Sequence, residues 1–185
     1  MNSTCLPSFR FSFGLCAGLI ALFLGGCATA SNSASMAVPP MEVAHKNAGS
    51  VSLTVTGGAE TSSMGASKIG NAEFAEAIKT SISGSGLFAK LVATGQEDNY
   101  HLEVALVRLD QPVFGFSMTV TIESNWVLTR TSDKSVVWQK AVITAYTAKA
   151  GDAFVGTTRL RLANEGAARA NIKDALTQIG AQTLH

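Results

Sequence analysis

The sequence predicts an α+β domain in which an antiparallel-rich sheet of four to five strands carries two amphipathic helices on one face. Three observations lead to this fold class. Apolar and polar residues alternate over residues 114–130, as in a strand with one face in the core and one in water. A second apolar run follows after a polar turn, so the two runs form a long hairpin. Two further segments repeat apolar residues with the period of a helix.

The domain begins with a strand, a loop and a helix. Residues 50–56 alternate apolar and polar side chains, which predicts a strand that two glycines end. The glycine-rich residues 57–70 show no period and fit no phosphate-binding fingerprint, so we interpret them as a loop. Asn71 is a good N-cap for the helix that follows. The apolar stripe of this helix contains Phe74, Ile78 and Ile82.

A short strand over residues 87–93 and a longer one over 100–110 precede the hairpin. The first arm of the hairpin, residues 114–130, is expected to place one face in the core: Phe114, Phe116, Met118, Val120, Ile122, Trp126 and Leu128. Residues 135–148 form the return arm. Such an aromatic stripe could line a ligand groove, but at strand spacing it is more often core, and we assign it to the core.

A glycine-containing loop over residues 149–158 holds two unexpected apolar residues, Phe154 and Val155. Apolar side chains in a loop either plug an edge of the core or stay exposed for a partner. These two residues are therefore the candidate partner-contact residues of the sequence.

Residues 159–182 are expected to form a long helix. Its buried side contains Leu162, Ala168, Ile172, Leu176 and Ile179. Gly166 costs about 1 kcal/mol relative to alanine in mid-helix, so close packing against the sheet is the expected compensation. Arg161, Glu165 and Arg169 stand four residues apart, which is typical of an ion ladder on a helix surface.

An export signal opens the chain. Residues 11–23 are almost all apolar, follow Arg10 and end in small residues. The run is too short to span a bilayer, for which about 20 apolar residues are needed. It ends in Leu24, Gly25, Gly26 and Cys27, which match all four positions of the lipobox. The segment thus resembles the signal of bacterial lipoproteins.

The lipobox resemblance implies cleavage before Cys27, a diacylglyceryl thioether on its sulfur and an acyl group on the new amino terminus. Two or three acyl chains anchor a protein firmly, since each buried CH₂ contributes about 0.8 kcal/mol. Cys5 and Cys16 fall within the signal, so acylation would cap the lone thiol of the mature chain. Ala28 follows the cysteine where aspartate tends to retain lipoproteins at the inner membrane, which by resemblance favours the outer membrane.

Two other fates of the signal stay open. Residues 28–30 read Ala-Thr-Ala, an A-x-A site whose ordinary cleavage would release a secreted protein, and an uncleaved signal could act as a weak anchor. We adopt the lipoprotein interpretation, which divides the chain into three parts. Residues 1–26 are the signal peptide, 27–49 are the lipidated N-terminus with a flexible tether, and 50–185 form a single domain.

The order of elements, with Leu87 and Phe88 leading into residues 100–104, resembles the small α/β domains of envelope accessory lipoproteins. These include lipopolysaccharide-assembly lipoproteins, auxiliary lipoproteins of transport complexes and the TolB amino-terminal type. The resemblance implies a non-catalytic, periplasm-facing accessory or scaffold subunit that binds another envelope protein. An alternative is a lipid or glycolipid binder, which an apolar cavity near Trp126 and Trp138 would favour. An enzyme whose site forms only in the fold is a third hypothesis.

The composition and the placement of its residues argue against a catalytic role and against nucleic-acid binding. The formal net charge of +1 provides no basic stripe for nucleic acid. His45, His101 and His185 lie in the tether, on a strand and at the terminus, and no His or Cys pair has ligand spacing. We expect no cofactor, no metal site and no catalytic residue, and the sequence indicates no oligomeric state.

Overall fold

The computed structural model of the protein describes residues 29–61 and 66–184. The signal peptide and all four lipobox residues, Leu24 to Cys27, lie outside these residues. The elements in chain order are α1 (Ser33–Met36), β1 (Asn47–Thr56), α2 (Asn71–Ser85), β2 (Phe88–Leu91), β3 (Tyr100–Asp110), β4 (Met118–Arg130), β5 (Val136–Ala148) and α3 (Gly156–Ile179).

The five strands form one mixed sheet in the order β2-β1-β3-β4-β5. β1 runs parallel to both of its neighbours, and α2 supplies the crossover that parallel pairing needs. β3, β4 and β5 are antiparallel, with Val104 opposite Trp126 and Leu128 opposite Trp138. The predicted antiparallel-rich sheet with packed helices is confirmed, and the short helix α1 is an addition to it.

The core lies between the helices and one face of the sheet. Alternate residues of β4 are buried from Met118 to Leu128, while Thr119 and Asn125 on the opposite face are exposed. The predicted stripe of α2 is buried as well: Phe74, Ile78 and Ile82. Full burial of a large apolar side chain contributes about 1.5–3 kcal/mol, which holds both long helices on this one face.

The first arm of the hairpin is shorter than predicted. β4 begins at Met118, and Phe114 and Phe116 are each 86% exposed rather than part of the core. Gly115 adopts a positive φ of 154°, a conformation that breaks an extended strand. Residues 111–117 are therefore a loop, in which the alternation of apolar residues continues without any pairing to a neighbouring strand.

The two long helices lie close to the predicted positions. α3 begins at Gly156, before the predicted start, and its predicted buried side is buried except for Leu162, which is half-buried. In α2 the predicted N-cap is wrong: Gly70 occupies the cap, and Asn71 is the first helical residue. The Oδ1 atom of Asn71 instead accepts a hydrogen bond of 2.7 Å from the amide of Gly58.

Much of the stretch predicted as a flexible tether packs on the domain. Met36 and Val38 are buried, and the amide of Val38 donates a hydrogen bond of 2.9 Å to Ser81 Oγ on α2. Further along, the amide of His45 donates to the carbonyl of Gly180 at 2.8 Å. The apolar residues of this stretch are too sparse to show a period, so their burial leaves no signal in the sequence.

Gly166 lies directly against the ring of Tyr146 on β5. A Cβ atom at this position would stand 2.3 Å from Tyr146 Cδ1, far inside van der Waals contact. The predicted close approach of this helix to the sheet is therefore confirmed. Gly84 near the end of α2 differs, since a Cβ there would meet Pro40 at an ordinary 3.9 Å.

The two glycines give opposite predictions for replacement by alanine. Gly84→Ala should raise the free energy of unfolding by about 0.5–1 kcal/mol, because alanine loses less backbone entropy in a helix. Gly166→Ala should lower it by about 1 kcal/mol, since overpacking costs about 1–3 kcal/mol against the same gain. Urea denaturation measures both. A loss at Gly166 that persists in a Tyr146→Ala background would contradict the packing argument.

Candidate functional site

Five exposed apolar residues lie in two loops at one end of the domain: Val113, Phe114, Phe116, Phe154 and Val155. We call them the aromatic end. The side chain of Phe154 is 98% exposed, so of the two placements that the sequence left open for Phe154 and Val155 the structure shows the exposed one. A contact of either residue with a partner stays a prediction. Exposed apolar clusters of this kind mark interaction surfaces.

One arginine at the start of α3 holds both loops of the aromatic end. Arg159 Nη1 donates hydrogen bonds of 2.7 and 2.8 Å to the carbonyls of Ala153 and Phe154. Its Nη2 donates to the carbonyl of Gly115 in the other loop at 3.2 Å. The guanidinium group presents several donors in a fixed plane, which suits it to bridging two backbone segments.

A cavity of about 960 Å³ lies beneath these loops, and its wall includes Lys68, Gln111, Phe114 and Arg159. Lys68 Nζ donates to Gln111 Oε1 at 2.9 Å. Within the described part of the chain, neither Lys68 nor Arg159 has a carboxylate at ion-pair distance, whereas Asp110 on the same wall is paired with Arg108 at 2.8 Å. The cavity therefore joins apolar side chains to two positive charges that form no ion pair with the carboxylates of residues 29–61 and 66–184.

The N-terminal chain is fastened beside α3. The Asn32 amide donates to Glu165 Oε1 at 2.9 Å, and Arg169 donates to the Ser35 carbonyl. Glu165 is only 2% exposed and also pairs with Arg161 at 2.9 Å. The prediction of a surface ion ladder is wrong in its placement, because these side chains clamp the segment that contains α1. Helical spacing reveals the charge pairs but not the segment that covers them.

Removing the carboxylate of Glu165 should loosen this segment. Glu165→Ala leaves the Asn32 amide and Arg161 without their charged acceptor, which should cost about 1.5–3 kcal/mol. Amide hydrogen exchange of residues 32–37 should then accelerate, while β4 keeps its protection. The matched control Glu76→Ala, at an exposed position on α2, should change the free energy of unfolding by less than about 0.5 kcal/mol. Unchanged amide hydrogen exchange of residues 32–37 in Glu165→Ala would contradict the role of Glu165 in holding this segment.

The sheet face that the helices leave open carries a polar cluster near the start of β3. The hydroxyl of Ser52 donates to Asp98 and accepts from His101 Nδ1 at 2.6 Å. Thr131 Oγ1 donates to the other oxygen of Asp98 at 2.7 Å. Ser52 is buried and its only proton is directed at a carboxylate, so this geometry orders the β1 and β3 strands rather than activating a nucleophile. These residues stand too far apart in sequence to form a motif.

Hydrogen bonding lowers the pKa of two carboxyl groups. Burial acts to raise the pKa of Asp98, yet the hydroxyls of Ser52 and Thr131 and the nearby His101 bring it below its ordinary value. The hydroxyl and amide of Ser135, helped by Arg130, lower the pKa of Asp133 to about 2. Both carboxylates are thus stabilised in the folded state.

These lowered pKa values predict acid sensitivity. The unfolded chain binds more protons than the folded chain at low pH, so the stabilisation is complete above the unfolded pKa and is lost as pH falls through the folded pKa. A double variant, Asp98→Asn with Asp133→Asn, should show a shallower fall of unfolding free energy between about pH 4 and pH 2. Denaturation series measure this slope. Asp174→Asn, at an exposed position on α3, is the control for the change in net charge. A double variant whose fall is as steep as that of the wild type would contradict the prediction.

The interior near Trp126 is closed by a buried hydrogen-bond network. The indole Nε1 donates to Ser124 Oγ at 2.8 Å and to Asn171 Oδ1 at 3.1 Å. Asn171 Nδ2 donates in turn to the carbonyl of Val142 at 3.0 Å. Ser124, which interrupts the apolar face in the sequence, thus has a structural role. Trp126 is fully buried by these partners, so its ring is not open to an apolar ligand.

Two structural features are absent from the described residues 29–61 and 66–184. No group of three or more His, Cys, Asp or Glu side chains there stands close enough to hold a metal ion. Among the same residues, no helix combines the length and apolar character needed to cross a membrane. At the end opposite the aromatic end, a cavity of about 710 Å³ is lined mainly by polar residues of the loops around Asn99 and Thr131.

Comparison with known proteins shows similarity of fold. No protein-family model matches the chain, and no curated protein matches it significantly. A DUF330 protein from Xanthomonas campestris is 14% identical with a TM-score of 0.58, over 77% of this chain and 89% of that chain. A hypothetical protein from Chlamydia trachomatis is 12% identical with a TM-score of 0.52, over 74% of this chain and 100% of that one. At these identities the similarity shows a shared α+β fold and nothing further.

Proposed function

We propose that the chain is a non-catalytic lipoprotein of the Gram-negative cell envelope, anchored by acyl groups on Cys27 and facing the periplasm from the outer membrane. Its role is that of an accessory subunit that binds another envelope protein. The match of Leu24 to Cys27 with the lipobox supports the anchor. The enclosed Ser52 hydroxyl and the closed interior at Trp126 favour this role over those of an enzyme or a lipid carrier.

The proposal of a protein partner rests on the open edge of the sheet at β5. β5 is 13 residues long and, within the described part of the chain, pairs only with β4. Such an edge offers unpaired backbone groups to an extended segment of another chain. The one charged residue of β5 is Lys140, whose Nζ donates a hydrogen bond of 2.6 Å to Gln178 Oε1 on α3. Its charge is therefore directed at the helix and does not block strand pairing at the edge. Ile143, 64% exposed, adds an apolar contact on the open face.

The anchor is tested by comparing the native chain with Cys27→Ala. The native chain should begin at Cys27, carry the mass of diacylglycerol and an acyl group, and fractionate with the outer membrane, since two or three buried acyl chains hold it there. The variant should lose the added mass and the membrane association. An unmodified soluble chain that begins at Ser31 would contradict the proposal.

The partner surface is tested by site-specific photo-crosslinking in the native bacterium. A photoreactive side chain at Ile143 should give one discrete adduct with an envelope protein, because this position lies on the open edge. The matched position is Val107, also exposed and apolar but on β3 in the middle of the sheet. It should give no such adduct. Equal crosslinking at both positions, or adducts with a second copy of this chain alone, would contradict the proposal.

A further inference from the structure

The N-terminal chain runs along α3 in the direction of that helix. It contacts Glu165 through the amide of Asn32 and reaches Gly180 through the amide of His45. Followed backward from Asn32, the chain therefore heads toward Gly156, where α3 begins and where the two loops of the aromatic end lie. The domain is joined to its upstream segment on the side of the aromatic end.

The distances involved are short. Glu165 lies nine residues after Gly156, which at about 1.5 Å per helical residue corresponds to about 14 Å. Cys27 precedes Asn32 by five residues, and an extended chain spans at most about 3.6 Å per residue, or about 18 Å in all. The link is therefore long enough for Cys27 to reach the level of the aromatic end, but too short to hold the domain far from the bilayer.

The chemistry of this end matches a bilayer surface. Proteins that lie on membranes combine apolar side chains that enter the headgroup region with lysine and arginine residues that attract lipid phosphates. Phe114, Phe116 and Phe154 supply the apolar part at 86–98% exposure. Lys68 and Arg159, in the cavity wall beside them, supply the positive charges; the one carboxylate of that wall, Asp110, is paired with Arg108.

We propose that the aromatic end docks on the phospholipid surface that holds Cys27. Phe114, Phe116 and Phe154 enter the headgroup region, and Lys68 and Arg159 face lipid phosphates. This inference rests on the lipid anchor of the proposed function and assigns Phe154 and its neighbour Val155 to lipid rather than to a protein partner. β5 ends with Ala148 at the membrane side of the domain and begins with Val136 at the far side, so most of its edge lies beyond the aromatic end and stays open to a partner.

The test uses tryptophan as a reporter in the full lipidated chain. Phe114→Trp and Phe154→Trp place it at the aromatic end, and Ile143→Trp places it on the β5 edge as the matched control. Each protein is reconstituted in vesicles of phosphatidylethanolamine and phosphatidylglycerol, with and without bromine on the acyl chains. The wild-type protein, with Trp126 and Trp138, provides the background emission.

The expected result is a blue shift at positions 114 and 154 on reconstitution and a loss of most of the added emission in brominated vesicles, with neither effect at position 143. Emission at 114 and 154 that stays water-like in a lipidated, vesicle-bound chain overturns the docking but leaves the anchor intact. A blue shift without bromine quenching means that protein covers this end, which also overturns the docking. A chain that carries no lipid by intact mass overturns both proposals.

Discussion

The buried hydrogen bonds among Ser124, Trp126 and Asn171 fix how the last helix lies on the hairpin. Unsatisfied polar groups in a core cost about 1–3 kcal/mol each, so α3 has one favourable position in which Asn171 meets both β4 partners and the Val142 carbonyl. Apolar packing alone would tolerate a slide along the sheet. The polar network thus gives α3 a defined position, or register, on the sheet, which apolar packing alone would not specify.

Other features of the molecule follow from that register. With Asn171 in place, Gly166 falls over the Tyr146 ring, where only a glycine fits. Two turns earlier Arg159 falls between the loops of the aromatic end, and Glu165 meets the incoming N-terminal chain. The path of the N-terminal chain along α3, from Asn32 to His45, thus depends on polar contacts in the core.

The sequence revealed those elements whose signal is periodic. Alternation identified β4 and the four-residue stripe identified α2, because burial of one face imposes those periods; β5 was identified as the apolar run after a polar turn. The same rule failed at Phe114 and Phe116, where alternation continues by coincidence into a loop. The periodicity rule also missed Met36 and Val38, because their burial depends on elements that are distant in the sequence. The sequence also showed the charged residues Arg161, Glu165 and Arg169. That the segment containing α1 covers them is a feature of the tertiary structure, which helical spacing does not reveal. The aromatic end was visible only in part, through Phe154 and Val155.

The clamp formed by Arg159 has a consequence for how this surface can change over evolution. Its donors bind the backbone carbonyls of Ala153, Phe154 and Gly115, and none of the apolar side chains at the tips takes part. These hydrogen bonds therefore do not depend on which side chains the loop tips carry. Mutations can therefore replace the phenylalanines, and change which kind of surface the loop tips prefer, while the hydrogen bonds of Arg159 stay in place. Because Arg159 already holds the backbone of both loops, a contact at their tips has less chain entropy to offset.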